Sequence, residues 1–526
     1  MRPSVCDWNF YSYVAAYVGE ATPIQVISVL DGARTGSSIA RARWKPLLGH
    51  TLPQHPVSAN PIIRVSMSTP AGLTAIKQWV DANQARLLEE LFQLIRIPSI
   101  STLPEHKADV LRAAQFTAAA LEKAGLENIE VIPTDRHPLI YADWLHAPGK
   151  PTVLCYGHYD VQPPDPLELW ESPPFEPTIR NGNIYARGAV DDKGQMYAHI
   201  KAVEALQSLT GTFPVNLKFL IEGEEEIGGA SIAKYVPEHK EKLKADVALV
   251  SDTALYAEGI PTLCVGLRGL VYMEVEAFGP ARDLHSGLYG GAAPNAVFGL
   301  IELLAKAKNA DGVIQIPGFY DDVREPAKAE LESWQSLPFN EAEYTNNEIG
   351  AAITGEPGRS VFEKTWSRPT LEVHGIAGGF TGAGSKTVIP AKALAKVSFR
   401  MVPDQDPEKI VEAFRAWVAV NAPKGIQANV NVLGVSPGIV VNPDHPAIAV
   451  AAEAFEESLG RKTVFIRSGG SIPIVGEFAK HLGIPTVLMG FGLPDDGLHS
   501  PNEKFKLANY YQAIATVAHF LARYGE

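Results

Sequence analysis

Cysteine is scarce, with Cys6, Cys155 and Cys264 the only thiols in 526 residues. Three thiols build neither a disulfide framework nor a thiolate zinc cluster, and they suit a reducing, cytoplasmic compartment. Apolar runs are short. No stretch of about 18 or more apolar residues occurs, which argues against a membrane span. Positive charge is also in deficit: 46 Lys and Arg stand against 59 Asp and Glu, a net charge of −13. A nucleic-acid binder shows the opposite balance. A Gly-rich phosphate loop is missing, which disfavours phosphoryl transfer. What is present is ample apolar material, 46% of residues with 20% charged, enough for packed cores. At roughly 100–200 residues per domain the chain holds two to four domains. These limits leave a large, soluble, acidic protein, and an enzyme fits best.

The first 66 residues differ from the rest. Three acids (Asp7, Glu20, Asp31) face six bases (Arg2, Arg34, Arg41, Arg43, Lys45, Arg64), and no amphipathic period runs through them. The Arg-rich, acid-poor balance also suits a presequence. The simpler expectation is a poorly structured extension, residues 1–66, whose deletion leaves activity intact. Ser68, Thr69 and Pro70 then read as a helix start, followed by a helical period from Leu73 to Ile95.

Beyond Met67 the chain alternates helix and strand. Apolar runs at Thr152–Tyr156, Ile184–Arg187, Asn216–Ile221 and Val247–Val250 each lead into a polar motif, and helical patterns intervene. This grammar predicts a doubly wound, mainly parallel α/β sheet. A second regime begins near Gly266, with half-buried alternation in Leu270–Phe278, a helix after Pro294 and strands at Thr370–Val373 and Ala393–Val402. Residues 310–365 are polar and weakly periodic. The first grammar returns after Pro437. The expected organisation is a catalytic domain (67–265 and 439–526) interrupted by an α+β insert (266–438).

Imidazoles and carboxylates recur just after the strands of the α/β part. His158 and Asp160 follow one, Asp191 and Asp192 the next, Glu224, Glu225 and Glu226 a third, and Asp252 a fourth. His499 follows the run Thr486–Met489. Ligand sites in open α/β sheets form at the carboxyl ends of strands. Each residue alone has an ordinary explanation: a solvated acidic turn, a helix cap or a turn former. Their convergence on one sheet edge points to a metal site. Carboxylates outnumbering histidines, without thiolates, suit two metals sharing a carboxylate bridge.

The motifs GHYDVQPPDPLELWESPPFEP, YARGAVDDKGQ, IEGEEEIGG, LVSDT, RDLHSGLYGG, GAGSKTVIPAK, RSGGSIP and GLHSPNE occur in this order. Together they resemble the dinuclear-zinc metallopeptidases of the carnosinase and cytosolic non-specific dipeptidase type, within the aminoacylase and carboxypeptidase superfamily. The resemblance runs from about Ser68 to the C-terminus. It implies that Asp191 bridges two divalent ions, Zn²⁺ first and Mn²⁺ or Co²⁺ as alternatives. His158 and Asp252 would complete one ion, Glu226 and His499 the other. Glu225 would be the general base, and Asp160 would orient His158. The Asp191–Asp192 peptide would be cis. In the insert, His285 would reach into a partner subunit's site, making the insert a lid and dimerisation domain of a homodimer. Thr387, Arg400 and Ser471 would hold the substrate's C-terminal part.

Amide hydrolysis needs a nucleophile at neutral pH and stabilisation of a developing oxyanion. Arg400 grips a carboxylate through two hydrogen bonds, selecting short peptides with a free C-terminus. The reading is an exopeptidase acting on dipeptides. The alternative is an N-acyl amino acid deacylase or desuccinylase on the same bimetal core. Asp252 weighs against it, because in this superfamily peptidases tend to carry Asp there and deacylases Glu. A non-catalytic relative would lack ligands, and here all five and the base are present.

Overall fold

The computed structural model describes residues 71–526. The expected extension 1–66 and the helix-start signal at Ser68–Pro70 lie outside the described residues. The first described helix, Leu73–Ile95, buries one stripe, Ile76, Val80, Leu87, Leu91, Leu94 and Ile95, at the spacing that brings one helix face to the core.

The main sheet has nine strands. From one edge they run Glu127–Ile132, Leu139–Trp144, Asn216–Glu222, Thr152–His158, Val247–Val250, Thr486–Leu488, Thr262–Leu267 and Ile439–Val440, with Val464–Ser468 also paired to Thr262–Leu267. The four strands from Asn216–Glu222 to Thr486–Leu488 are mutually parallel. They are buried almost throughout, as strands covered on both faces are. Helices Leu73–Ile95, Lys193–Thr210, Pro446–Leu459 and Leu507–Tyr524 contribute to the core on one face. Ala230–Glu238 and Pro473–Glu477 contribute to the core on the other.

A four-stranded antiparallel sheet forms a second core, in the order Thr370–Gly378, Lys392–Met401, Gly269–Phe278, Gln427–Ser436. Strand Gly269–Phe278 alternates buried and half-buried residues along its whole length, and helices Ala296–Lys306 and Pro407–Asn421 pack on this core.

One expected strand is displaced. The run Ile184–Arg187 does not join the main sheet. Its strand is Asn183–Tyr185, in a separate three-stranded sheet between Thr178–Arg180 and Lys504–Lys506. Asp191 and Asp192 are therefore delivered by a loop leading into helix Lys193–Thr210, rather than by a main-sheet strand end. Three residues are too few to show a period, and the buried run Ala186–Val190 has the composition of a core strand.

Candidate active site

The parallel strands all present their carboxyl ends to one edge, and their polar motifs meet there. Strand Thr152–His158 ends on His158 itself. Strand Asn216–Glu222 runs into a single tight turn, Glu225–Ile227, carrying Glu225 and Glu226. Asp252 follows Val247–Val250. The Asp191–Asp192 peptide is cis. His499 sits at φ +60°, the left-handed region that a β-carbon disfavours.

Two groups of donor atoms result, His158 with Asp191 and Asp252, and Asp191 with Glu226 and His499. Within each group the atoms lie within 4.8 Å of one another, and Asp191 belongs to both. His158 Nε2 is 3.3 Å from Asp191 Oδ1. His499 Nε2 is 2.9 Å from Asp191 Oδ2 and 3.2 Å from Glu226 Oε2. Asp160 lies behind this shell. Its Oδ1 stands 3.4 Å from His158 Nδ1, and its carboxylate accepts the backbone N–H groups of Glu225 (3.3 Å) and Glu226 (3.2 Å). His158 Nδ1 hydrogen-bonds the Asp160 backbone carbonyl at 3.1 Å, so one buried residue fixes the imidazole through its carbonyl and the acidic turn through its carboxylate. Gln162 Nε2 donates to Glu226 Oε2 at 2.8 Å and orients that side chain.

The charge balance is that of a cation site. Burial, then the neighbouring carboxylates, push the Glu225 carboxyl well above its ordinary range, although His158 opposes this. Burial and Asp191 push Asp252 up to about 7. Asp191 and Glu226 raise His499 to about 10. Four carboxylates and two imidazoles crowd together with no Lys or Arg partner among the described residues. His158 Nε2 is buried and makes no hydrogen bond. A buried polar atom aimed at converging carboxylates fits a divalent ion, and the O/N donor set fits a borderline or hard one.

The rest of the acidic motif is structural. Glu222 accepts from the Tyr156 hydroxyl at 2.7 Å. Glu224 accepts from Ser231 Oγ (2.6 Å), His137 N–H (2.9 Å) and Thr134 Oγ1 (3.2 Å).

A cleft of about 1520 Å³ opens over these residues, its lining including Asp191, Glu225, Asp252, His499, Arg400 and Ser471. Arg400 Nη1 donates to Ser471 Oγ at 2.9 Å. Ser471 Oγ in turn donates to the Arg268 carbonyl at 2.5 Å. In this arrangement Ser471 orients the guanidinium. His285 and Thr387 do not line the cleft. They sit together on the small ribbon Leu284–His285 and Val388–Ile389, where Ser286 N–H donates to the Thr387 carbonyl at 3.0 Å.

Sequence reasoning missed Glu503. This buried carboxylate accepts from Arg187 Nη1 (2.7 Å) and from the N–H groups of Gly188 (3.0 Å), Val190 (3.0 Å) and Asp191 (3.2 Å). It therefore clamps the loop that carries Asp191. Its one sequence signal is its place in the His499 motif.

A family model described as Peptidase family M20/M25/M40 matches residues 154–523. The Cys-Gly metallodipeptidase of Schizosaccharomyces pombe is 33% identical over 86% of this chain and 98% of its own. The human Beta-Ala-His dipeptidase is 30% identical over 86% of this chain and 92% of its own. The crystal structure of human carnosine dipeptidase 1 superimposes with a TM-score of 0.75 at 30% identity, covering 87% of this chain and all of that one.

Proposed function

The chain belongs to peptidase family M20/M25/M40, and from that premise we propose how its residues divide the work of dipeptide hydrolysis. It is a metal-dependent dipeptidase, as its relatives are; deacylation of N-acyl amino acids is not favoured. The observation that carries the finer reading is the pair of three-donor groups sharing Asp191, with Glu225 beside them in one cleft.

His158, Asp191 and Asp252 would hold one divalent ion, and Asp191, Glu226 and His499 a second, with Zn²⁺ the best match to the mixed imidazole and carboxylate donors. Bound there, the ions supply Lewis acidity, which lowers the pKa of water and draws off the charge that develops on the carbonyl oxygen. Glu225 takes the proton of the attacking water and returns it to the leaving amine. Asp160 keeps His158 and the Glu225–Glu226 turn in register. Arg400, aligned by Ser471, takes the substrate's free carboxylate through paired hydrogen bonds. This confines cleavage to the last peptide bond of a short chain.

His285 and Thr387 complete the cleft of a second copy in a homodimer, with residues 266–438 as the dimerisation and lid domain. His285 is exposed, outside its own cleft and close in sequence to Leu288 and Phe298, which are 77% and 69% exposed. Large apolar side chains left this exposed suit a face that a second copy would cover. Among the described residues no helix is long and apolar enough to cross a membrane, and the buried free thiols Cys155 and Cys264 suit the cytoplasm.

The test is amine release by metal-reconstituted protein from unblocked dipeptides and from N-acetyl and N-succinyl amino acids, with a chelator control. Chelator-sensitive cleavage of the dipeptides alone is expected. Cleavage of the acylated compounds alone would move the function to deacylation.

A further inference from the structure

The cleft is far larger than a dipeptide of small residues needs. Its volume of about 1520 Å³ exceeds the roughly 300–1,000 Å³ of ordinary small-ligand pockets. One of its walls is built by residues from 338–366, in the weakly periodic segment. Phe339, Tyr344, Phe362 and Trp366 line it, joined by Tyr256 from the loop after Asp252. The rings form a continuous surface. Phe362 stacks on Trp366 with centroids 4.5 Å apart, Phe339 meets Phe362 at 5.2 Å and Tyr344 at 5.6 Å, and Tyr256 meets Phe362 edge-on at 5.8 Å.

This wall stands on the carboxylate side of the cleft. Arg268 Nη1 donates to the Arg368 carbonyl (3.3 Å), two residues beyond Trp366, and its Nε donates to the Gly469 carbonyl (3.3 Å), two residues before Ser471. The Arg268 carbonyl accepts the hydroxyl of Ser471, which orients Arg400. A β-carbon built on Gly469 would fall 3.0 Å from the Thr365 carbonyl oxygen, so the two loops touch. Arg268 therefore fastens the aromatic segment against the loop that supports Arg400. Of the cations that line the cleft besides Arg400, Arg467, Lys504 and Lys506 are paired with Glu330, Asp496 and Glu258. Neither Arg268 nor Arg400 has a carboxylate within ion-pair reach among the described residues. Glu343 and Glu348 on the same side are exposed, where water and salt screen them.

We propose that this wall is the subsite for the side chain of the substrate's C-terminal residue, and that it selects large apolar or aromatic side chains. The inference rests on the dipeptidase reading, because it places the free carboxylate at Arg400. The side chain next to that carboxylate then meets the aromatic surface, and burying its area against the rings drives binding.

The experiment measures kcat/KM for Ala-Gly, Ala-Ala, Ala-Leu and Ala-Phe, with the reversed dipeptide Phe-Ala, on metal-reconstituted full-length protein. The expected order rises from Ala-Gly to Ala-Phe by at least tenfold, a gain not reproduced by Phe-Ala over Ala-Ala. Product inhibition by phenylalanine should exceed that by alanine. In Trp366→Leu the ratio of Ala-Phe to Ala-Ala should fall severalfold, through KM. Trp366 also packs on Trp334, so Phe339→Ala, at the more exposed end of the wall, provides a second variant with the same expected direction. A flat series in the wild type, a gain carried by the N-terminal residue, or a ratio unmoved in both variants overturns the subsite while leaving the dipeptidase reading intact. Failure to cleave any of the five overturns both.

Discussion

Glu225 and Glu226 are neighbours in the chain with different tasks. Glu226 shares His499 with Asp191, whereas Glu225 belongs to neither donor group. Glu225→Ala should therefore lower kcat by about 10²–10⁴-fold while two metals per chain remain by elemental analysis. Glu226→Ala and His158→Ala should lower metal content as well as rate. Loss of metal from Glu225→Ala would exchange the two assignments. The motif IEGEEEIGG carries four similar-looking glutamates, and together with the histidines and aspartates after the other strands it already announces metal chemistry. It does not separate Glu222 and Glu224, which serve Tyr156, Ser231 and His137, from Glu225 in the cleft lining and Glu226 in the donor group. That distinction depends on which side of a turn each carboxylate leaves, and no pattern along the chain records it.

At the scale of elements, the loop Arg187–Asp192 depends on Glu503. Removing a buried carboxylate strands Arg187 and three N–H groups, and loss of one partner from a buried pair costs roughly 3–5 kcal/mol. Glu503→Ala should lower the melting temperature of the metal-free protein and weaken metal binding in titrations. Wild-type metal affinity in that variant would show that the loop holds itself.

A second junction ties helices Leu73–Ile95, Lys107–Lys123 and Lys193–Thr210 together. Burial works against ionising Glu90, but Lys123 (2.5 Å), Lys201 (2.6 Å) and Arg86 (3.1 Å) overcome it and hold the carboxyl down to about 2. Its contribution is complete above the ordinary carboxylate value of 4.5 and is lost as pH falls toward 2. His199, buried against Ser251 Oγ, is held down to about 3. The unfolded chain takes up that proton near 6.5 and the folded one does not, so stability again declines as pH falls between 6.5 and 3. Melting temperatures of metal-free protein should drop across both windows. A flat profile from pH 7 to 3 would remove both groups from the stability balance.

The long helices are legible from their period and the buried parallel strands from their continuous apolar runs, and helix Leu73–Ile95 has the expected bounds. The insert strand Gln427–Ser436 was not, since most of its residues are exposed and polar ones interrupt its apolar positions. Nor was the aromatic wall, whose side chains gather from short turns without a repeat.

At the scale of the whole molecule, the two sheets supply different things. The parallel sheet gathers most of the donors; the four-stranded antiparallel one contributes Arg400 to the same cleft, and a separate two-stranded ribbon holds His285 outside it. If His285 serves a second copy, mixing His285→Ala with Glu225→Ala protein should restore activity. Each hybrid dimer then has one complete cleft, giving about a quarter of the wild-type rate at random exchange. Absence of recovery, with exchange verified by mass spectrometry, would confine His285 to its own chain.

The bond between Arg187 and Glu503 joins positions 316 residues apart. A ribosome adds about 5–20 residues per second, so His158, Asp191, Glu226 and Asp252 emerge roughly 12–70 s before His499 and Glu503. Throughout that interval the nascent polypeptide holds one donor group and part of another, with the intervening loop unfastened. If both donor groups hold metal, hydrolytic competence is a late product of translation: a chain that stalls or is clipped before His499 has no complete second donor group.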